Sequence, residues 1–511
     1  MNFPSFSSYH FEVGGSASSN PATNTIHIEH DEEQVEPQHH ALVVETQQGT
    51  DNLRGVALVG IDIIKVEFGN IVKTLPGFQG PLPFKLETGY VSVEESELFY
   101  YFVESTGKPR IDPLLLYLVG GPGCSGLNAL FYQVGPLAFN GTEYSGGIPQ
   151  IILKSHAWTK TASIIFPDVP VGTGFSYATT PQGYLMSDTI SARQTYKFLR
   201  KWLIEHPEYI SNRIYIATDS YSGIFAPIIS QYILDGNAAE HQPFINLIGF
   251  LSGSPHINTS LEGNSKVPYA HNMALISDKL YEAAKENCNG WYYEVDPSNA
   301  KCVEALLPIS QCVGDIYEDN VLESNCALIS PKPDDESAQR ALKEARRFPH
   351  PSPKHKFKDW WCKNFVYILS DIWANNKTVQ EALYVREGGQ RWYRCNLVVK
   401  YAYNYDIRNV IPYQKNLTNS GLQILVYGGD LDMVIPHIST EKWLRNLNLT
   451  IDTSWTPWFV DGQVAGYKVI YSNTGYRLTY ATLKGAGHSP TEYFHERCFE
   501  MFQRWIHFYP L

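Results

Sequence analysis

The chain has 511 residues, of which 43% are hydrophobic and 18% are charged, a composition typical of a globular protein with an ample core. Its formal net charge of −12 argues against a nucleic-acid partner or an anionic membrane surface, because both require a basic protein surface. No stretch of the sequence is long and apolar enough to span a bilayer.

The N-terminal residues 1–52 are polar, with clusters of Ser, His, Gln and Glu, and this composition predicts disorder. A basic region followed by an apolar core, the pattern of a signal peptide, is not visible there. We therefore interpret residues 1–52 as disordered or as an atypical leader. The composition changes near Asn70, where the predicted folded domain of residues 70–511 begins.

Three apolar stretches predict the first strands of this domain. Residues 89–104 alternate as a hairpin does, residues 114–119 are uniformly apolar like a buried central strand, and residues 164–166 form another short run. The central strand leads into the motif GGPGCSG at residues 120–126. Such a glycine-rich turn can direct backbone N–H groups at a developing oxyanion, although a tight loop that needs glycine for positive φ has the same composition.

A serine follows the next predicted strand, which ends near Asp219. Ser220 is followed by apolar residues at helical spacing, and strand, sharp turn and helix are the context of a nucleophile elbow. The neighbours of the serine must be small because strand and helix approach closely. Gly223 satisfies this demand, whereas Thr218 is β-branched where glycine is usual. A structural serine that caps the helix is the alternative interpretation.

Two later strands, residues 422–427 and 478–483, also end in glycine-rich loops. The first loop carries Asp430 and Asp432, and the second carries His488. Open α/β sheets gather functional side chains at the carboxyl ends of their strands. Serine, aspartate and histidine in this chain order are the α/β-hydrolase arrangement, so the sequence predicts a catalytic triad in which either aspartate could serve.

Four motifs together resemble the serine carboxypeptidase-like family: GGPGCS at 120–125, PVGTGFS at 170–176, DSYSG at 219–223 and GAGH at 485–488. The resemblance extends from about residue 70 to residue 511. It implies an α/β-hydrolase fold with a central, mostly parallel sheet and an inserted, mostly helical cap at residues 255–379.

The same resemblance implies roles for individual residues. Ser220 would be the nucleophile, His488 the general base and acid, and Asp432 the residue that orients the imidazole. The oxyanion would bind the backbone N–H groups of Gly121 and Tyr221.

The residues expected to bind substrate depart from the peptidases of this family. Those enzymes hold a substrate carboxylate with an asparagine before the paired glycines, a glutamate beyond the glycine loop and a glutamate before the nucleophile. This chain has Val119 before Gly120, Gln133 beyond the loop and Asp219 before the serine. Val119 offers no hydrogen bond and Gln133 lacks the shared acidic proton, so carboxylate discrimination should be lost.

Asp219 resembles the plant acyltransferase branch of the family, as do residues 270–278 and 458–467. The resemblance therefore implies transfer of an acyl group from a 1-O-acylglucose to an alcohol or amine acceptor through an acyl-Ser220 intermediate. A serine-type carboxypeptidase acting on peptide C-termini is the alternative. A catalytically weak or binding-only protein is a third interpretation, which Thr218 supports. No cofactor is expected, and no Cys-x-x-Cys or clustered histidine spacing predicts a metal site.

Eight cysteines and five Asn-x-Ser/Thr acceptors predict an oxidising compartment. The acceptors are Asn140, Asn258, Asn376, Asn416 and Asn448. The resemblance implies a vacuolar or secreted protein with disulfides Cys124–Cys395, Cys288–Cys302 and Cys326–Cys362. The charged, proline-containing residues 331–358 predict an exposed linker. Related proteins are often cut in such a stretch, which leaves two disulfide-linked chains.

Overall fold

A large sheet organises the part of the chain that the computed structural model describes, residues 69–141, 144, 146–323 and 363–511. Three of the sequence predictions lie outside these residues: the N-terminal segment 1–52, the linker 331–358 and the Cys326–Cys362 pair.

The strands are β1 (Asn70–Val72), β2 (Leu86–Val93), β3 (Ser96–Val103), β4 (Leu114–Leu118), β5 (Leu137–Phe139), β6 (Ile151–Leu153), β7 (Ser163–Pro167), β8 (Tyr177–Ala178), β9 (Ile214–Asp219), β10 (Leu247–Gly253), β11 (Gln423–Gly429), β12 (Thr450–Val460), β13 (Gln463–Asn473) and β14 (Tyr476–Leu483). In the described part of the chain, twelve of them form one sheet in the order β1-β2-β3-β7-β4-β9-β10-β11-β14-β13-β12, with β8 paired to β3. Strands β5 and β6 pair with each other.

The centre of the sheet, from β7 through β4, β9, β10 and β11 to β14, is parallel. Strand β4 shows why these residues form it: all five side chains are buried, with Leu114 and Leu116 in one core layer and Leu115 and Tyr117 in the other. Strands buried on both faces read as continuous apolar runs. The predicted central strand and the mostly parallel sheet are confirmed.

Antiparallel strands form both ends of the sheet, and β1 pairs with β2 at the outermost position of the first end. Strands β2 and β3 make the predicted first hairpin, with Tyr90 opposite Phe99. Strands β12 and β13 make the other edge, and their turn residues Asp461 and Gly462 have φ of 48° and 73°. Positive φ at both positions is the type I′ turn that matches the twist of a hairpin.

The helices are α1 (Leu127–Phe131), α2 (Asp188–Glu205), α3 (Phe225–Ala238), α4 (Thr259–Asn272), α5 (Asp278–Cys288), α6 (Ala300–Val313), α7 (Lys363–Ala374), α8 (Lys377–Ala382), α9 (Leu397–Ala402), α10 (Ile411–Leu417), α11 (His437–Arg445) and α12 (His495–Ile506). Helices α2 and α3 contribute to one core layer, and α1, α7 and α12 contribute to the other. Every regular element described between β10 and β11, except turns, is a helix. The predicted α/β fold with a mostly helical insertion is therefore confirmed.

The C-terminal helix α12 is amphipathic. Its Phe502 stacks on Trp158, with ring centroids 4.0 Å apart. Cys498 of the same helix is buried and unpaired, and it packs as a small core residue.

Two disulfide bonds join described cysteines, and both are pairs that the family resemblance implies. Cys288, the last residue of α5, bonds to Cys302 near the start of α6. Cys124, in the glycine-rich loop, bonds to Cys395.

We predict that the double variant C288S/C302S loses about 3 kcal/mol of unfolding free energy, the value for closing a loop of roughly 15 residues in the unfolded chain. The measurement is thermal unfolding by circular dichroism. C312S is the matched control, because Cys312 lies on α6 but is exposed and unpaired. Equal melting temperatures for the two variants would contradict the prediction.

Candidate active site

The turn after β9 holds Ser220 in a strained conformation. Its φ is 61°, in the left-handed region that residues other than glycine seldom occupy. A 3₁₀ turn, Ser220–Ile224, then leads into α3. The Asp219 N–H donates to Ser222 Oγ at 3.0 Å, and that hydroxyl donates to the Leu118 carbonyl at 2.6 Å. The neighbouring strand β4 therefore supports the turn, which has the geometry of a nucleophile elbow.

A small residue is required at Gly223, after the serine in this turn. A Cβ added at Gly223 would lie 2.4 Å from the Cβ of Pro255. Thr218, two residues before the serine, is buried, and its hydroxyl hydrogen-bonds with Ser252 Oγ on β10 at 2.7 Å. The β-branched side chain is thus accommodated between two strands, and Ser220 keeps its elbow conformation.

Ser220, His488 and Asp432 form a continuous hydrogen-bonded chain. Ser220 Oγ lies 2.6 Å from His488 Nε2, and His488 Nδ1 lies 2.9 Å from Asp432 Oδ2. The other carboxylate oxygen of Asp432 accepts the Ile435 N–H at 2.9 Å, which orients the carboxylate. Asp430 instead accepts the Gly485 N–H at 2.7 Å. The structure therefore pairs the imidazole with Asp432, and Asp430 braces the histidine loop.

The Asp432 carboxylate controls the charge of the imidazole. Burial lowers the pKa of His488, but the adjacent negative charge of Asp432 outweighs it and raises that pKa to about 9. This interaction stabilises the folded state below the unfolded histidine pKa of about 6.5, and the stabilisation is lost as the pH rises through 9. The site is arranged to stabilise an imidazolium, the species that forms when histidine takes a proton from serine.

The glycine-rich loop lies directly against the nucleophile. A Cβ added at Gly120 would be 2.7 Å from both Ser220 Cβ and the Tyr221 backbone nitrogen, so only glycine fits. Gly121, the next residue, has a φ of 120°. The two residues predicted to bind an oxyanion, Gly121 and Tyr221, therefore belong to backbone segments in close contact.

Asp168, to which the sequence analysis assigned no role, anchors this loop. Its fully buried carboxylate accepts the Ser125 hydroxyl at 2.6 Å and the Gly126 N–H at 2.8 Å, and its second oxygen accepts the Phe175 N–H at 2.9 Å. Burial raises the pKa of Asp168 to about 7. The signal available in the sequence was an acid immediately after the predicted strand β7.

Of the residues predicted to bind substrate, Gln133 and Asp219 come together and Val119 does not join them. Gln133 Nε2 donates to Asp219 Oδ2 at 3.1 Å and to Glu492 Oε1 at 3.3 Å. Ser489, next to the histidine, donates to Asp219 Oδ2 at 2.6 Å. The side chain of Val119 packs instead against the apolar core layer.

Glu492 is a second residue that the sequence analysis missed. Besides Gln133, its carboxylate accepts the Tyr367 hydroxyl at 2.5 Å. The Arg394 guanidinium lies 3.6 Å from the centre of the Tyr367 ring. An acid four residues after the histidine was the available signal, but nothing in the sequence pattern links it to Gln133.

Burial raises the pKa of Asp219 to about 6, and the negative charge of Glu492 acts in the same direction. The positive charge of His488 and the hydrogen bonds from Ser489 and Gln133 oppose the rise. The residue before the nucleophile thus changes its charge near pH 6, within hydrogen-bonding contact of the histidine turn.

Comparison with known proteins assigns this chain to a family. The serine carboxypeptidase family model matches residues 76–508. The chain belongs to the serine carboxypeptidase family. It is 44% identical over 450 residues to serine carboxypeptidase-like 17 of Arabidopsis thaliana, which covers 87% of this chain and 95% of that protein. It is 43% identical over 441 residues to serine carboxypeptidase-like 16 of the same plant, covering 86% and 93%.

A solved structure supports the fold. The prohormone-processing carboxypeptidase of Saccharomyces cerevisiae superposes with a TM-score of 0.64 at 18% identity, over 82% of this chain and 91% of that one. Within the described residues, no helix has the length and apolar character needed to cross a membrane. Among the same residues, no cluster of three or more metal-ligating side chains is present.

The pKa of His488 predicts the pH dependence of Ser220 reactivity. Labelling by a fluorophosphonate requires a neutral imidazole, so its rate should rise as the pH passes about 9. D432N removes the charge that raises the pKa, so the midpoint should move to lower pH while the maximal rate falls by about 10⁴-fold. D430N is the control and should leave the midpoint unchanged.

Glu492 should position the histidine turn through its hydrogen bonds. E492A is expected to slow labelling of Ser220 by roughly 10- to 100-fold, because small misplacements of reacting groups have effects of this size. E492Q retains an acceptor for Gln133 and a donor for Tyr367, and should lose less. E496Q is the control, because the Glu496 side chain is more than half exposed. A labelling rate in E492A equal to that in E496Q would refute this role.

Proposed function

We propose that this member of the serine carboxypeptidase family is an acyltransferase that moves an acyl group from a 1-O-acylglucose ester to an alcohol or amine acceptor. The proposal rests on the hydrogen bonds that the Gln133 side-chain amide donates within the protein. Both of its N–H groups face carboxylates of the protein, Asp219 and Glu492, and neither is left for a substrate carboxylate. Val119 supplies no donor, so the carboxylate recognition of a peptidase is missing at this place.

The reaction would begin at Ser220. Its Oγ attacks the ester carbonyl while His488 Nε2 takes the hydroxyl proton, and Asp432 stabilises the imidazolium. The backbone N–H groups of Gly121 and Tyr221 would hold the oxyanion of the tetrahedral intermediate. His488 then donates its proton to the anomeric oxygen, the carbonyl carbon–oxygen bond breaks, and glucose leaves an acyl-Ser220 ester.

Transfer and hydrolysis differ only in the second nucleophile. In transfer, the acceptor hydroxyl or amine gives its proton to His488 and attacks the acyl-Ser220 carbonyl, after which Ser220 regains a proton and the acylated product leaves. Water would give hydrolysis by the same steps. The outcome depends on how well the site binds the acceptor and excludes water.

A serine-type carboxypeptidase is the second candidate, and the pKa of Asp219 is the observation that favours it. With a pKa of about 6, this carboxyl group is protonated at acid pH and can then donate a hydrogen bond to a substrate carboxylate. On this basis the KM for a peptide should fall as the pH drops through about 6, whereas kcat still requires the neutral form of His488. The third candidate, a binding-only protein, requires that Ser220 be unreactive.

The two disulfides joining described cysteines agree with an oxidising compartment. We place the protein in the vacuole or outside the cell, with small-molecule acyl donor and acceptor as its partners. Cleavage in the linker 331–358 into two disulfide-linked chains belongs to the same proposal.

The purified full chain should be incubated with an acylglucose plus alcohol acceptors, and separately with a blocked dipeptide at pH 5 and pH 7. We expect acylated acceptor from the first mixture, little free amino acid from the second at either pH, and no product from S220A. Release of amino acid without acyl transfer, with a KM for the dipeptide that is lower at pH 5 than at pH 7, would establish the peptidase instead. Failure of a fluorophosphonate to label Ser220 in the folded protein would instead support the third candidate, a binding-only protein.

The variant V119N/Q133E tests the observation that carries the proposal. Restoring the two polar groups should raise kcat/KM for the blocked dipeptide by roughly 10- to 100-fold, because a site with matching hydrogen-bonding groups discriminates strongly. Q242E is the control, since Gln242 is exposed and its substitution changes the net charge equally.

A further inference from the structure

A surface groove of about 610 Å³ lies between α11 and the edge hairpin β12–β13. Its floor is apolar and buried, formed by Leu444 of α11 and by Val469 and Tyr471 of β13. Its rim is more polar and includes the ion pair between Arg445 and Glu441, whose charged atoms are 3.1 Å apart. No residue of the candidate active site lines it. An apolar floor with a polar rim is the form of a ligand site.

The outer wall of the groove carries large apolar side chains in contact with solvent. Ile451 is 58% exposed and Trp455 is 45% exposed, both on the edge strand β12. The Trp455 ring is nearly parallel to that of Tyr467, with centroids 5.5 Å apart and an interplanar angle of 11°. Exposed apolar side chains clustered along an edge strand normally mark a surface that something covers.

The chain itself carries an attachment point at this groove. Asn448, the acceptor of the motif Asn448-Leu449-Thr450, is one of the residues that line it. It is exposed, and it lies in the connection between α11 and β12 with a φ of 55°, a conformation that asparagine tolerates. The groove therefore begins at a glycosylation motif and continues to an exposed tryptophan.

The other four motifs have different surroundings. The side chains of Asn258 and Asn376 accept hydrogen bonds at the N-termini of α4 and α8, and Asn140 donates to Gln150. Asn416 is exposed on α10, but it is not among the residues that line this groove. Of the five predicted acceptors, Asn448 is the one that lines this groove.

We propose that Asn448 carries an N-linked glycan whose first sugars lie in this groove and pack on Trp455. In the attachment reaction, Asn448 Nδ2 loses a proton and bonds to C1 of an oligosaccharide, while the C1–oxygen bond to a lipid diphosphate carrier breaks. The C–H face of a sugar packs on an aromatic ring, and its hydroxyl groups suit a polar rim such as Glu441 and Arg445. The glycan would shield the edge strand β12 from pairing with other chains.

This inference is independent of the reaction that Ser220 performs, because it concerns a different face of the molecule. The full chain should be produced in a eukaryotic secretory host. Glycopeptide mass spectrometry then gives the occupancy of Asn448, and hydroxyl-radical oxidation of the folded protein gives the exposure of Trp455. Phe459 is an internal control, since it is 47% exposed on the same strand but does not line the groove.

We expect Asn448 to be occupied and Trp455 to be protected. Removal of the glycans from folded protein by a peptide amidase should increase oxidation of Trp455 severalfold and leave that of Phe459 unchanged. N448Q should reproduce this increase, and N416Q should not. Enzymatic removal keeps the test valid if N448Q fails to fold.

Three results would overturn the proposal. One is an unoccupied Asn448, and another is an occupied Asn448 with equal oxidation of Trp455 before and after glycan removal. The third is a dimer of the glycosylated protein that W455A dissociates, which would mean that a second copy of the chain covers the groove.

Discussion

The hydrogen bond between Ser220 and His488 joins two turns that are 268 residues apart in the chain. Each turn follows a strand of the same parallel sheet, β9 for the serine and β14 for the histidine, with β10 and β11 between them. Carboxyl ends of parallel strands meet at one edge, so the sheet brings these turns together. The strained, positive-φ conformation of Ser220 persists because the Ser222 hydroxyl donates a hydrogen bond to the Leu118 carbonyl of β4, which fixes the turn.

A polar network makes a second connection between the same two turns. Asp219, adjacent to the nucleophile, accepts a hydrogen bond from Ser489, adjacent to the histidine. Gln133 extends this connection to Glu492, so the amide binds both turns at once. Because Gln133 and Asp219 are buried, the hydrogen bond between them matters more than it would in water. The network that occupies the Gln133 amide is therefore also the one that links the turns of the proposed nucleophile and base.

The helical insertion also contributes to the geometry of the site. The backbone N–H of His488 donates to the carbonyl of Asp319, which lies between α6 and the residues that the structure leaves undescribed. A Cβ on Gly487 would lie 2.1 Å from that carbonyl oxygen, so the glycine permits this contact. The disulfide of Cys124 with Cys395 ties the glycine-rich loop to the connection between α8 and α9, which follows the insertion. The glycine-rich loop and the histidine turn are therefore both bound to the mostly helical segment between β10 and β11.

The sequence by itself determined the strands that lead into the site, the order of serine, aspartate and histidine, and the glycine-rich loop, because these depend on local composition and on which strands end in reactive residues. The loop pattern left Asp430 and Asp432 as equal choices, the family resemblance implied Asp432, and the tertiary structure pairs His488 with Asp432. Glu492 and Asp168 acquired roles only in the folded chain. Their partners are distant in sequence, and a hydrogen bond between distant side chains leaves no periodic pattern to read. The groove beside Asn448 likewise exists only in the tertiary structure, because it forms where α11 lies beside the edge hairpin β12–β13.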